Sequence, residues 1–182
     1  MRELSLHILD LARNSIEAGA SELTIEVTEL PAEDLLLVVV RDNGRGMDEE
    51  TRRRATDAFF TSRTTRRQGL GLALFRAMCE RCEGSMELES APGLGTTVRA
   101  QVRLSHLDRP PLGDMGGVLQ SVACEAQRVR LRYRHEAAGG VFELDTAELQ
   151  RELVDVPVTN PAVLNWIGKH VREGLREAGS GA

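Results

Sequence analysis

Residues 10–20 read DLARNSIEAGA and carry the polar side of a helix that hydrophobic periodicity predicts over residues 4–19. Asp10, Asn14 and Glu17 are spaced i, i+4 and i+7, so their side chains project side by side. The other half of this helix is apolar and consists of Leu4, Ile8, Leu9, Leu11, Ala12 and Ile16. Packing therefore gives no reason for an asparagine on the polar side, and periodicity alone does not say what Asn14 does there.

The composition limits the class of protein. The chain has 182 residues, of which 41% are hydrophobic, so we expect a globular protein with one core or one domain plus a small appendage. The net charge of -5 argues against general nucleic-acid binding, and no stretch resembles a membrane span or a signal peptide. Three cysteines in this context do not predict a disulfide framework. We therefore expect a soluble, cytoplasmic protein with neither a nucleic-acid nor a membrane partner.

The first part of the chain alternates predicted strands and helices. ELTIEVTEL (22–30) alternates as a half-exposed strand does, and DLLLVVVRD (34–42) is an apolar run typical of a buried strand. A short helix is predicted in MDEETRRRATDAF (47–59) and a long one in LGLALFRAMCERC (70–82). SMELESAPGLGTTVRAQVRL (85–104) predicts two strands joined by a Pro-Gly turn.

The pattern changes after residue 105. SHLDRPPLGDMGG (105–117) is rich in proline and glycine and predicts a linker or a boundary. A hairpin around Gly139 and Gly140 and an amphipathic helix in NPAVLNWIGKHVREGL (160–175) are predicted beyond it. We therefore divide the chain into a domain of residues 1–105 and a C-terminal α+β extension of residues 106–182. Whether this extension continues the first sheet or forms a separate small unit is open at this point.

Three motifs together carry a family resemblance. DLARNSIEAGA lies on a helix, RDNGRGM (41–47) follows a buried strand, and RRQGLGLAL (66–74) opens a second helix. In this order and at this separation they resemble the Bergerat-fold ATP-binding domain of the GHKL superfamily, over about residues 4–104. DAFFTSR followed by GLGLAL and GSMELESAPGLGTTV is most similar to histidine kinases and anti-sigma-factor kinases. The resemblance implies a two-layer α/β sandwich, in which helices cover one face of a mixed sheet and ATP binds between them.

The resemblance also implies roles for individual residues. Asn14 matches the asparagine whose amide oxygen binds the Mg²⁺ that bridges the phosphates, and an uncharged oxygen suits this hard ion. Asp42 matches the acid that accepts a hydrogen bond from the adenine amino group, and Gly44 and Gly46 let the backbone turn against the base. Thr96 matches a hydroxyl that supports this acid, although an ordinary β-branched strand residue would look the same.

The phosphate side of the expected site is glycine- and arginine-rich. Gly69 and Gly71 would leave backbone N–H groups free for phosphate oxygens at a helix start. Arg63 and Arg67 are candidates for contacting the outer phosphates, and a solvated surface position explains either arginine equally well. Gln68 departs from the glycine that histidine kinases commonly place before this pair.

Asp10 decides between mechanisms. It stands four residues before Asn14, where ATPases and anti-sigma-factor kinases of the superfamily place a glutamate that acts as general base. Aspartate keeps the carboxylate but is one methylene shorter, so catalysis would be slow or need a partner. The alternative is that Asp10 only orients water around Mg²⁺.

Three functions remain open from the sequence. The first is a regulatory protein kinase or ATPase that uses ATP and Mg²⁺ on a partner protein, without a phosphoacceptor module ahead of the helix at residue 4. The second is a binding module in which ATP or ADP switches a partner. The third and weakest is a redox sensor based on Cys79 and Cys82. The chain resembles small free-standing superfamily proteins found beside redox enzymes, so the unidentified partner is expected to be a redox enzyme or a regulator, and the oligomeric state is open.

Overall fold

The computed structural model describes residues 3–55, 70–126 and 128–181. The strands in these residues are β1 (Glu22–Leu30), β2 (Leu35–Asp42), β3 (Ser85–Ala91), β4 (Gly95–Arg103), β5 (Arg130–Ala137) and β6 (Gly140–Asp145). The helices are α1 (Leu4–Glu17), α2 (Glu49–Ala55), α3 (Leu70–Arg81), α4 (Met115–Glu125), α5 (Thr146–Leu153) and α6 (Pro161–Glu177), with a 3-10 turn at Pro31–Glu33. The sequence analysis had anticipated every one of these elements except the 3-10 turn, α4 and α5.

The six strands form one mixed sheet in the order β3-β4-β2-β1-β5-β6. Neighbouring strands are antiparallel except β1 and β5, which run parallel. Asp42 at the end of β2 lies opposite Leu23 on one side and Thr96 on the other. The predicted α/β fold with a mixed sheet is confirmed.

Helices cover one face of this sheet. Along β2, the side chains of Leu36, Val38 and Val40 are at most 3% exposed, whereas Leu37 and Val39 between them are only partly buried. The apolar run in β2 had suggested a strand buried on both faces, which is the usual meaning of such a run in parallel sheets. In this two-layer arrangement the described helices fully bury only every second residue.

Residues 106–181 continue the sheet and core of the preceding residues. β5 pairs with β1 from Glu22 opposite Arg130 to Thr28 opposite Glu136, and β6 folds back through the predicted hairpin. α4 packs against both α1 and α6. A Cβ on Gly116 of α4 would lie 2.5 Å from the carbonyl oxygen of residue 168, so only glycine allows α4 and α6 to approach this closely.

The predicted linker also completes α1. No side chain caps the N-terminus of this helix, but the N–H groups of Leu4 and Ser5 donate to the carbonyl oxygens of Pro111 and Leu112 at 3.0 and 2.8 Å. These N–H groups would otherwise have no partner within the helix. The segment before α4 therefore holds the helix that carries Asp10 and Asn14.

Candidate nucleotide site

Asp42 is the last residue of β2, on the helix-covered side of the sheet, and is 9% exposed. One of its carboxylate oxygens accepts a hydrogen bond from the N–H of Gly44 at 2.8 Å, and the other accepts one from the Ser15 hydroxyl at 2.8 Å. Both donors are neutral, and an ionised carboxylate has about four acceptor positions. Asp42 therefore retains acceptor capacity for a ligand that brings its own donor.

Ser15 is the site residue that the sequence analysis missed. It lies on the buried side of α1 and is 3% exposed. Leu4, Ile8, Leu11 and Ser15 follow one another at i, i+4, i+7 and i+11 and form one stripe along the helix. A serine within an apolar helical stripe needs a partner, because burying an unpaired hydroxyl costs about 1–3 kcal/mol. The polar residue in this apolar stripe was the one signal that the sequence offered. The sequence could not show that the partner of Ser15 is Asp42.

The turn after Asp42 is built on two glycines. Gly46 has a φ of 65°, a backbone conformation that favours glycine, and a Cβ at this position would clash with the carbonyl oxygen of Ala91. A Cβ on Gly44 would approach the Ala18 Cβ to 2.8 Å. The turn is therefore held against the end of α1 and the β3–β4 hairpin, and it keeps the Gly44 N–H directed at Asp42.

Helix α1 contacts this acid through Ser15 on its buried face, and its polar face reaches α3. Asn14 is exposed and precedes Ser15, so it adjoins the residue that holds Asp42. Asp10 is partly exposed, and a Cβ built on Gly71 would lie 3.5 Å from its Oδ2 atom. The carboxylate of Asp10 thus lies next to the first turn of α3. Gly69, Arg63 and Arg67 lie outside the described residues, and their roles stay predictions.

Thr96 lies opposite Asp42, but its hydroxyl has another partner. It is 3.0 Å from Ser90 Oγ, which also accepts from the N–H of Met47 at 2.9 Å and donates to the carbonyl oxygen of Gly95 at 2.9 Å. Thr96 and Ser90 therefore share a hydrogen bond in which either hydroxyl could be the donor. The expected support of Asp42 by Thr96 stays a prediction, whereas the Ser15 hydroxyl forms this contact directly.

The cysteines do not form part of this site. Cys79 and Cys82 are fully buried, and burial raises the pKa of Cys79 to about 12 and that of Cys82 above its usual value. A thiol that resists ionisation is a poor nucleophile and metal ligand. In the described ranges no three His, Cys, Asp or Glu side chains are arranged to hold a metal ion.

Comparison with known proteins agrees with this geometry. Residues 2–106 match the family described as "Histidine kinase-, DNA gyrase B-, and HSP90-like ATPase". The match covers more than half of the chain, and the chain belongs to this family. None of the helices in the described residues combines the length and hydropathy that a bilayer-spanning segment needs.

Similar proteins include bacterial sensor kinases. A probable C4-dicarboxylate sensor kinase of Halalkalibacterium halodurans is 36% identical over 99 residues, which are 52% of this chain and 19% of the kinase. The sensor protein kinase FleS of Pseudomonas aeruginosa is 42% identical over 89 residues, which are 49% of this chain and 22% of that protein. The matched segment is thus only about a fifth of each relative.

A solved structure shows likeness of fold over a longer stretch. The N-terminal domain of a DNA repair protein superposes with a TM-score of 0.50 at 16% identity and covers 80% of this chain and 52% of the other. This coverage exceeds residues 2–106, so the likeness of fold extends into the C-terminal segment.

Proposed function

We propose that this chain binds ATP together with Mg²⁺ and acts as a regulatory protein kinase or ATPase on a partner protein. The observation that supports this most is the contact of Ser15 with Asp42. It connects a buried acid that keeps acceptor capacity to the helix that carries Asn14 and Asp10. An adenine amino group and a chelated phosphate chain are the two ends of one ligand that suits both positions.

The side chains at this position suit a magnesium ion that arrives with a nucleotide. Asn14 and Asp10 offer oxygen atoms on one exposed face of α1, and Mg²⁺ takes few protein ligands when phosphates and water complete its shell. When bound, ATP with Mg²⁺ supplies the phosphoryl group for transfer. Asn14 would hold the ion, and Gly71 at the start of α3 would offer its backbone N–H group to a phosphate.

Asp10 is the residue that would make the chain an enzyme. Its carboxylate lies beside the first turn of α3, where the phosphate chain is expected. From there it would accept a proton from water or from a hydroxyl on a partner protein. The shorter side chain of aspartate predicts slow turnover that a partner accelerates.

The test is phosphate release and phosphoryl transfer from radiolabelled ATP, with and without cell extract that contains the partner. Asp10→Asn is expected to abolish turnover while ATP binding is retained. Glu17→Gln, two turns further along the same polar face, is the matched control and is expected to keep most of the activity. Equal turnover by the parent and Asp10→Asn would contradict the catalytic role of Asp10.

The second candidate is a switch without turnover, in which ATP or ADP alters the affinity for a partner. It is favoured by the attachment of residues 106–181 directly to β1 and α1, the two elements next to the site. Absence of turnover in the parent, even with extract present, together with nucleotide-dependent capture of a partner would favour this function over the enzyme. The buried, hard-to-ionise thiols of Cys79 and Cys82 argue against the redox sensor.

A further inference from the structure

The two edges of the six-stranded sheet differ in what covers them. At one edge α2 packs against β3, and Arg52 Nη1 of α2 donates to the carbonyl oxygen of Leu88 at 3.1 Å. At the other edge β6 pairs with β5, and no further strand of the described residues lies beside it. An unpaired edge of this kind can accept a strand from another chain.

The backbone of β6 presents hydrogen-bonding groups to this free edge. The turn at residues 138 and 139 closes the β5–β6 hairpin on Ala137 and Gly140. Bonded and non-bonded pairs alternate along an antiparallel ladder, so Val141 and Glu143 turn their N–H and C=O groups away from β5. Within the part of the chain that the structure describes, no group outside the hairpin forms a backbone hydrogen bond with either residue. The edge therefore offers donors and acceptors to a further strand.

Aromatic side chains line the helix-covered side of the same edge. Trp166 of α6 is 46% exposed and stacks on His170 with ring centroids 4.5 Å apart, and His170 meets the ring of Phe142 in β6 at 5.2 Å. α4 contacts the other flank of α6, where Asp114 accepts hydrogen bonds from Arg172. An exposed tryptophan beside an unpaired strand is the kind of side chain that contributes most to protein interfaces.

We propose that β6 pairs with the β6 of a second copy of this chain, so that two six-stranded sheets join edge to edge. A two-fold interface requires a surface that fits itself, and GVFELD (140–145) does so about an axis at Phe142. Antiparallel pairing about this axis sets Phe142 opposite Phe142 of the second copy, and Val141 of each copy opposite Glu143 of the other. Aromatic pairs across strands are favourable, and no like charges face each other.

The alternative axis at Glu143 would set two carboxylates directly opposite each other, which is unfavourable. Charge thus selects the register that brings the aromatic side chains together. Trp166 of each copy then lies beside the joined strands on the helix-covered side. A second copy is preferred to another extended segment because it supplies its own Phe142 and Trp166 to the seam.

Sedimentation of the full chain over a range of concentrations tests the proposal. The parent is expected to form a dimer of twice the 20.0 kDa chain mass. Trp166→Ala is expected to raise the dissociation constant of the dimer about tenfold or more. Leu94→Ala is the matched control, because it removes an 81% exposed side chain from the β3–β4 turn, and it should leave the dissociation constant unchanged.

A charge change at one position tests the strand pairing itself. Val141 is 49% exposed, so both Val141→Glu and Val141→Lys are expected to fold, which circular dichroism checks. The glutamate sets like charges opposite Glu143 of the second copy, and the lysine sets opposite charges there. The dissociation constant of Val141→Glu is therefore expected to be about tenfold above that of Val141→Lys.

Two results would overturn the proposal. A parent that sediments as a monomer at concentrations up to about 1 mM would leave the edge to a strand of another protein. A dimer that Trp166→Ala and both Val141 variants leave unchanged would use another surface. None of these measurements requires a nucleotide, so failure of the dimer and failure of the proposed ATP binding are separate outcomes.

Discussion

Two buried carboxylates lie at opposite ends of the same pair of strands, and they have different surroundings. Asp42 ends β2, opposite Leu23, and has two neutral donors. Glu29 lies near the other end of β1, 5% exposed, and is contacted by His135 Nε2 at 2.8 Å, the Ser180 hydroxyl at 2.6 Å and the Gly181 N–H at 3.0 Å. Glu29 accepts hydrogen bonds from three donors of the protein, whereas Asp42 accepts from two and keeps more acceptor positions for a ligand.

The difference separates a carboxylate that the protein itself pairs from one that we propose to bind a nucleotide. His135 Nδ1 is 2.8 Å from the Tyr133 hydroxyl, so the ring is bonded on both sides and connects β5 to β1. Burial alone would raise the pKa of Glu29, but the hydrogen bonds from His135, Ser180 and Gly181 lower it below its usual value. An acid whose oxygens are paired mainly with donors of the protein stabilises the fold, and an acid with fewer such donors can bind the donor of a ligand.

The largest effect is expected from removing the closed carboxylate. Glu29→Ala should lower the free energy of unfolding by about 3–5 kcal/mol, because the donors of His135, Ser180 and Gly181 lose their acceptor inside the protein. Chemical denaturation measures this loss, and the nucleotide affinity of the folded fraction should not change. Glu26→Ala, on the opposite face of β1, is the control with little effect. A loss below about 1 kcal/mol for Glu29→Ala would show that the cluster is not structural.

His7 is also buried but, unlike Glu29, it is not fully hydrogen-bonded. In the described part of the chain its Nδ1 atom has no partner. It is 2% exposed and stacks on Phe75 with ring centroids 5.0 Å apart, and burial lowers its pKa from 6.5 to about 4. The unfolded chain binds this proton at higher pH than the folded chain does. Protonation of His7 therefore does not reduce the free energy of unfolding above pH 6.5. As the pH falls from 6.5 toward 4, it lowers the free energy of unfolding by about 3 kcal/mol.

The measurement is the free energy of unfolding of the parent and His7→Leu between pH 7 and pH 4. The leucine variant should lose less stability over this range, and at pH 7 it should be at least as stable as the parent, because an unpaired polar group has been removed. Parallel pH profiles for the two proteins would contradict the assignment to His7.

Asp42, the carboxylate that we propose to bind the nucleotide, should behave in the reverse way from Glu29. Asp42→Asn is expected to lower ATP affinity about 10–100-fold, since an amide accepts through one oxygen only and its N–H₂ opposes the donors around it. Stability should fall by about 1–3 kcal/mol, because the one remaining acceptor serves only one of the two donors, Ser15 or Gly44. Calorimetry and denaturation together check this, and a large stability loss with unchanged affinity would place Asp42 in the same class as Glu29.

The smallest effect is expected at the surface contact between α1 and α4. Arg13, next to Asn14, forms two hydrogen bonds to Glu125 at 2.8 and 3.2 Å, but both side chains are well exposed. Water and salt screen such pairs, so Glu125→Gln should cost less than about 1 kcal/mol of stability and change ATP affinity less than about twofold. A larger change in affinity, measured at two salt concentrations, would show that α4 adjusts the site through Arg13.

The sequence was informative where local pattern and structure coincide. The alternation in residues 22–30, the 3.6-residue period of α1 and the DNGRG turn led to β1, α1 and the position of Asp42. These features depend on neighbours within one element, and the motifs fix their order along the chain.

Contacts between distant segments could not be predicted in this way. The glycines and prolines before α4 suggested a linker or a boundary, although Asp114 accepts a hydrogen bond from Gly117 N–H at 3.0 Å and caps the helix. The parallel pairing of β1 with β5 and the contact of Ser15 with Asp42 bridge long separations in sequence. Each of these contacts depends on tertiary packing, which leaves no periodic hydrophobic pattern in a single sequence.

The most direct measurement is calorimetric titration of ATP with and without Mg²⁺ into the parent, Asn14→Ala and Asp42→Asn. We expect the parent to bind ATP more tightly when Mg²⁺ is present. Asn14→Ala should lose that gain, whereas Asp42→Asn should bind weakly in both conditions and keep the ratio between them. Parent-like affinity of both variants for ATP with Mg²⁺ would contradict the view that these two residues hold opposite ends of one nucleotide.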